Sequence, residues 1–180
     1  MVADITQNAC ESGAQVVELE VRESALQGSK KEFRFLVKDN GKGMTKEELG
    51  RAIDPFVTDG VKHPQRKIGL GLPFLIQTAE QSGGGWDVQS EKGKGTTATA
   101  WFDTGNVDTP PTGDLPVMFR TILMFDGPDE VVIRRRRDSE MPLDYEARKS
   151  ELVEALGGLE DAESLALLGK YLRSQEENEE

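Results

Sequence analysis

The sequence predicts an α/β chain arranged as an α+β two-layer sandwich: a mixed, mainly antiparallel sheet with helices on one face, followed by a small C-terminal αβ appendage. Three observations point there. Apolar and polar residues alternate over 17–22 and again over 33–38, the period of half-buried strands. Helix-start signals separate those runs from a later strand pair joined by Lys92-Gly93-Lys94-Gly95. A stretch rich in Pro and Gly, 104–116, then breaks the pattern and reads as a linker.

The first helix spans residues 2–12, with Val2, Ile5, Ala9 and Ser12 on one small face and Gly13 as its stop. Val17, Leu19 and Val21 then alternate with Glu18, Glu20 and Arg22 as a strand. A turn at Gln27-Gly28-Ser29-Lys30 leads to Phe33, Phe35 and Val37, a second strand that pairs with the first and delivers Asp39 at its end. Thr45 and Glu48 form a capping box, and Leu49, Ala52 and Ile53 continue a short helix. Residues 54–68 are polar and loop-like, punctuated by Pro55, Gly60 and Pro64. Gly69 and Gly71 open a helix carrying Leu72, Leu75, Ile76 and Ala79, closed by Gly83-Gly84-Gly85. Strands follow at 86–90 and 96–102. Beyond the linker, 117–125 and 130–137 are expected as a strand pair, and 144–156 and 161–174 as helices split by Gly157-Gly158. The expected organisation is therefore a domain at 1–103, a linker at 104–116, an appendage at 117–175 and an acidic tail at 176–180.

Composition narrows the function. Hydrophobic residues make up 36% of the chain, enough for a core in 180 residues. No apolar run approaches membrane-spanning length. Cys10 is the single cysteine, so no internal disulfide forms, and its place in the first helix suits a buried structural thiol. The net charge of −11 is uneven: residues 138–180 hold 13 acids and four bases, leaving the rest close to neutral at −2. That acidity argues against nucleic acid as a partner. The expectation is a soluble cytoplasmic protein without a membrane contact.

Three blocks carry the chemistry. Asp4 and Asn8 stand one helical turn apart and share a face. An amide oxygen at Asn8 can ligate Mg²⁺, and a carboxylate at Asp4 can polarise a water or hydroxyl for attack on a phosphate. The same pair also suits a surface acid favoured by the helix dipole beside a surface amide. Asp39, ending an apolar strand before Gly41 and Gly43, can accept the exocyclic amine of adenine; Asp-Asn-Gly equally suits a plain turn. Gly69-Leu70-Gly71-Leu72-Pro73 opens a helix whose free amides suit phosphate oxygens. No Gly-x₄-Gly-Lys-Ser/Thr loop is present, so that route to ATP is closed.

The set resembles the histidine-kinase-like ATPase superfamily (GHKL), whose ATP-binding Bergerat fold is shared by sensor kinases, gyrase and MutL. Asp4 through Gly13 is similar to its N box, and Asp39-Asn40-Gly41-Lys42-Gly43 to its Asp-x-Gly-x-Gly box. Lys67 to Pro73 resembles the Gly-x-Gly box, Gly95-Thr96-Thr97 the terminal Gly-Thr motif, and Asp54-Pro55-Phe56-Val57-Thr58 the aromatic segment of the nucleotide lid. The resemblance covers about residues 2–103. It implies ATP and Mg²⁺ as cofactors, with Asn8 on the metal and Asp39 on adenine. Gly41, Gly43, Met44, Gly69, Gly71 and Leu72 shape the base and phosphate walls, Thr97 supports the base, and 45–68 forms a lid.

The departures from that family refine the expectation. Sensor kinases usually carry an amide four residues before the N-box asparagine and often a lysine three after it; here those places hold Asp4 and Glu11. An acid in the first slot is similar to the hydrolysing members and to the anti-sigma serine kinases, where it acts as base. His63, the one histidine, lies in the lid beside Pro64 and reads as a solvated loop residue, so a self-contained autophosphorylating kinase is not expected. Nor is the large second domain that supplies a catalytic lysine in gyrase and MutL. Lys42 and Lys67 remain phosphate or solvent lysines. The expected function is an Mg–ATP-binding module, regulatory in role, with weak ATPase or protein-kinase activity towards a partner protein reached through the C-terminal appendage. The alternatives are a non-catalytic nucleotide-dependent interaction module, or the ATP-binding half of a split histidine kinase. Arg134 to Arg137 reads as a charged strand edge that resists aggregation, and Leu152, Leu156, Leu165, Leu168 and Leu172 as a stripe that packs on the sheet or receives a partner.

Overall fold

Parallel pairing between two strands far apart in sequence organises the chain. The computed structural model describes residues 1–25, 30–54 and 71–177. Helix α1 (Val2–Cys10) leads into β1 (Val16–Ser24) and β2 (Glu32–Asp39), which pair antiparallel. Helices α2 (Lys46–Ile53) and α3 (Gly71–Gln81) follow, then the hairpin β3 (Gly85–Glu91) and β4 (Gly95–Asp103). Helix α4 (Leu115–Leu123) crosses over to β5 (Glu130–Asp138), which lies parallel to β1, and β6 (Leu143–Arg148) pairs antiparallel with β5. Helices α5 (Lys149–Leu156) and α6 (Ala162–Glu176) complete the described chain. Among the described residues the result is one six-stranded sheet of order β3-β4-β2-β1-β5-β6, in which β1 and β5 form the one parallel pair.

Strand alternation sorts the two faces. Val17, Leu19 and Val21 of β1, Phe33, Phe35 and Val37 of β2, Ala98, Ala100 and Phe102 of β4, and Val131 and Ile133 of β5 all point to one side. There they join Ile5 and Ala9 of α1, Leu75 and Ala79 of α3, Phe119 and Ile122 of α4, and Leu168 and Leu172 of α6 in one core. Phe35 stacks on Phe102 with ring centroids 6.2 Å apart. The opposite face is polar, and there the Arg34 guanidinium sits 5.0 Å from the centre of the Trp101 ring. Cys10 is buried in the core, and burial pushes its thiol up to about 11, which keeps it protonated.

The C-terminal residues depart from expectation in three places. Residues 117–125, expected as a strand, instead form most of helix α4, which ends at Leu123, and the turn after it: Leu115, Phe119, Ile122 and Leu123 share one buried face at helical spacing. Asp114 caps it by accepting from the Val117 N–H at 3.0 Å, and Pro116 sits in the first turn, where a missing N–H does no harm. Residues 144–148, expected as helix, form most of β6, because Leu143, Tyr145 and Ala147 alternate with Asp144, Glu146 and Arg148. Arg134 to Arg137 lie on an interior strand, not an edge. The segment expected as an appendage thus supplies two strands to the common sheet and two helices to the common core. The predicted capping box is present at α2: Thr45 accepts from the Glu48 N–H and Glu48 from the Thr45 N–H. The turn residues 26–29 lie outside the described residues.

Arg135 is the largest polar exception in the core, with 1% of its side chain exposed. Its strand position puts it on the helix-covered face, opposite Val21 and Tyr145. It donates to Glu23 on β1 at 2.5 Å, to Glu176 at the end of α6 at 2.9 Å, and to the Arg136 carbonyl at 2.8 Å. Tyr145 donates to the same Glu176 at 3.0 Å. Burial opposes the Arg135 charge, but the bonds and charges of Glu176 and Glu23 outweigh it and hold the guanidinium above its ordinary range. Burial beside Glu176 likewise pushes the Tyr145 hydroxyl up. This network pins the last turn of α6 to the sheet.

Two outcomes follow. A fragment ending at residue 106 loses the strand beside β1 and the apolar side chains of α4 and α6, exposing Val17, Leu19 and Val21. It is expected to aggregate or to melt without a cooperative transition in calorimetry; a soluble fragment with a sharp transition would contradict the shared core. Arg135→Ala is expected to lose about 3–5 kcal/mol in urea denaturation because it strands two carboxylates. Arg134→Ala, on the open face, is expected to lose under about 1 kcal/mol.

Candidate functional site

The alternation that places Phe33, Phe35 and Val37 in the core carries on to Asp39, which is buried at 7% exposure. A carboxylate there needs donors, and its Oδ1 has two: the Gly41 N–H at 2.8 Å and the Ser12 hydroxyl at 3.1 Å. Among the described residues no hydrogen bond reaches Oδ2. The loop behind it is held on several sides. Asn40 Oδ1 accepts from the Gln15 and Val16 N–H groups at 2.9 Å each, the Lys42 N–H donates to the Ser12 carbonyl, and the Gly93 N–H donates to the Lys42 carbonyl.

Two glycines are required here. A Cβ on Gly41 would lie 1.9 Å from Ser12 Oγ and 2.9 Å from Asp39 Oδ1. Gly43 has φ +56°, and a Cβ there would lie 1.9 Å from the Glu91 carbonyl oxygen. The Asp39-Asn40-Gly41-Lys42-Gly43 run is therefore a strand-to-loop passage squeezed between the end of α1 and the β3–β4 hairpin.

Helix α1 lies along the same site. Its buried residues Val2, Ile5, Thr6, Ala9 and Cys10 fix which face meets the core and leave Asp4 and Asn8 exposed. Gly71 begins α3 against Asn8: a Cβ on it would lie 3.5 Å from Asn8 Nδ2. An exposed amide thus stands beside a helix N-terminus, where backbone N–H groups favour anions. Leu72 packs, half-buried, against the core. Asp4 bonds the Met1 amino group at 2.8 Å and has 68% of its side chain exposed. Gly69, Lys67, His63 and most of the expected lid lie outside the described residues.

The β3–β4 hairpin forms the remaining wall. The Met44 N–H donates to Ser90 Oγ at 2.9 Å, and Ser90 Oγ lies 3.2 Å from the Gly95 carbonyl oxygen and 2.9 Å from Thr96 Oγ1. Register puts Thr96, not Thr97, beside Asp39: Thr96 pairs with Asp39 and Thr97 with Lys38 on the opposite face. The hydroxyl on the Asp39 side of the sheet is therefore that of Thr96, one residue before the expected Thr97. Counting parity from Ala98, Ala100 and Phe102 would have found it. Ser12 and Ser90 were also missed; Ser12 was legible as one turn beyond Asn8, while no local pattern marks Ser90.

The family model for histidine kinase-, DNA gyrase B- and HSP90-like ATPases matches residues 1–106, more than half of the chain and every residue of the site described above. The chain belongs to this ATPase family. Its match with the sensor histidine kinase ZraS of Escherichia coli (strain K12) is 34% identical over 80 residues, 44% of this chain and 16% of ZraS. The sensor protein SrrB of Staphylococcus aureus (strain NCTC 8325 / PS 47) is 40% identical over 63 residues, 34% of this chain and 11% of SrrB. The aligned stretches thus span well under a fifth of these relatives. The ADP-complexed MutL ATPase domain of Aquifex aeolicus aligns over 94% of this chain and 67% of its own at 14% identity, with a TM-score of 0.41. In this ATPase domain the family match ends just after β4, so α4, β5, β6, α5 and α6 lie beyond it. Among the described residues no helix is long and apolar enough to cross a membrane.

Proposed function

We propose that this chain binds ATP with Mg²⁺ and uses it for slow hydrolysis or for phosphoryl transfer to a partner protein. One observation carries the reading: Asp39 is buried with Oδ1 tied to Ser12 and Gly41 and, among the described residues, with no hydrogen bond on Oδ2. An ionised carboxylate only accepts, so Oδ2 suits the exocyclic amine of adenine and repels the keto oxygen of guanine. The family match supports adenine nucleotide as the ligand class.

The other site residues fit the rest of the ligand. Asn8 offers an amide oxygen to Mg²⁺, a hard cation that screens phosphate charge. The first turn of α3, at Gly71 and Leu72, offers free N–H groups to phosphate oxygens. Gly41, Gly43 and Met44 line the base side, with Thr96 in the place first given to Thr97. Asp4, one turn before Asn8, is the acid that accepts a proton from the attacking water or hydroxyl. Residues 117–180 reach the partner, and the acidity of the tail favours a protein over nucleic acid.

A second reading has its own support. Asp4 has 68% of its side chain exposed, so a module that binds nucleotide and signals without turnover also fits. Turnover by Asp4→Asn separates the two: a base predicts a fall of about 100-fold or more with ATP affinity within twofold. Unchanged turnover removes Asp4 and favours the second reading. For the nucleotide itself, Asp39→Ala is expected to weaken ATP binding in calorimetry by about 1–3 kcal/mol. Equal wild-type affinity for ATP and GTP would contradict the role of Asp39.

A further inference from the structure

We propose that Ser12 is a positioning residue that sets the preference for a 6-amino purine, acting through Asp39; this rests on the nucleotide reading above. The Asp39 carboxylate turns about a soft bond, since the terminal torsion of an aspartate is broad. A single donor at Oδ1 leaves its plane free to swing. Here the same oxygen takes both the Gly41 N–H at 2.8 Å and the Ser12 hydroxyl at 3.1 Å, which fixes the plane and with it the direction of Oδ2. The space for that hydroxyl is built in, because any Cβ at position 41 would collide with Ser12 Oγ. Ser12 is itself held: its carbonyl accepts from the Lys42 N–H at 3.2 Å and its own N–H donates to the Ala9 carbonyl. Ser12 stands four residues beyond Asn8, in the turn that follows the same helix. It therefore ties the acid that reads the base to the helix that presents Asn8.

The chemistry predicts discrimination rather than general affinity. ATP and inosine triphosphate share ribose and phosphates but differ at purine position 6, amine against keto oxygen. A loosened Asp39 loses its grip on the amine and has no favourable bond to the keto group to lose. Titration of the full chain with Mg–ATP and with Mg–ITP is the test. Wild type is expected to prefer ATP. Ser12→Ala is expected to bind ATP about tenfold more weakly, the fold-change for one lost hydrogen bond, with ITP within twofold. Ser12→Thr, which keeps the hydroxyl, is expected to retain the preference. If Ser12→Ala does not fold, Ser12→Cys, a weaker donor of similar volume, is expected to show a reduced preference. Equal weakening of ATP and ITP, or an unchanged ratio, would overturn the role of Ser12 while leaving the nucleotide reading standing. Wild type that binds neither nucleotide would overturn the nucleotide reading itself.

Discussion

A carboxylate buried at the end of a strand must be bonded or it destabilises the fold, and among the described residues Asp39 is bonded through Oδ1 alone. That constraint explains much of the surrounding architecture. Gly41 is a glycine because a side chain would displace the Ser12 hydroxyl that bonds Asp39. Asn40 is an asparagine because its carbonyl gathers the two amides that open β1. The β3–β4 hairpin returns to the same point, with Thr96 in register with Asp39 and Gly93 bonding the Lys42 carbonyl. Helix α1, the β2–α2 loop and the hairpin thus converge on the Asp39 carboxylate.

The sheet makes that convergence rigid. β1 lies between β2 and β5, and its parallel pairing with β5 requires the crossover that α4 supplies. Helix α4 packs against α1 and α6, and the loop after it presses close enough to α1 that a Cβ on Gly127 would lie 2.8 Å from the Cys10 carbonyl oxygen. The buried Arg135, bonded to Glu23 and Glu176, closes the far side. Residues beyond the family match therefore support the helix that carries Asp4 and Asn8 and the turn after it that carries Ser12.

Local signals made the first half of the chain legible. Period-two alternation marked β1 and β2, the Thr45–Glu48 box marked the start of α2, and the Lys92–Gly95 turn joined β3 to β4. Asp39 was legible because it continues an alternation that must bury it. The misreadings have physical causes. Residues 115–125 are apolar almost without a break, and such a run does not separate a helix from a buried strand by period. The deciding signals, Asp114 as cap and Pro116 in the first turn, resembled those of a linker. The burial of Arg135 depends on Glu176, some 40 residues away in sequence, which no local pattern reveals. Thr96 and Thr97 differ only in which face of β4 they occupy, and register decides that.

The central claim is that Asp39 Oδ2 meets the amine of an adenine ring while phosphates lie between Asn8 and the start of α3. A crystal structure of the chain with a non-hydrolysable ATP analogue and Mg²⁺ tests it most directly. The account predicts the exocyclic nitrogen within about 3.2 Å of Oδ2, hydrogen-bonding distance, with Oδ1 still bonded to Ser12 and Gly41 and the metal on the Asn8 amide oxygen. A nucleotide seated elsewhere, or an adenine amine facing away from Asp39, would contradict it.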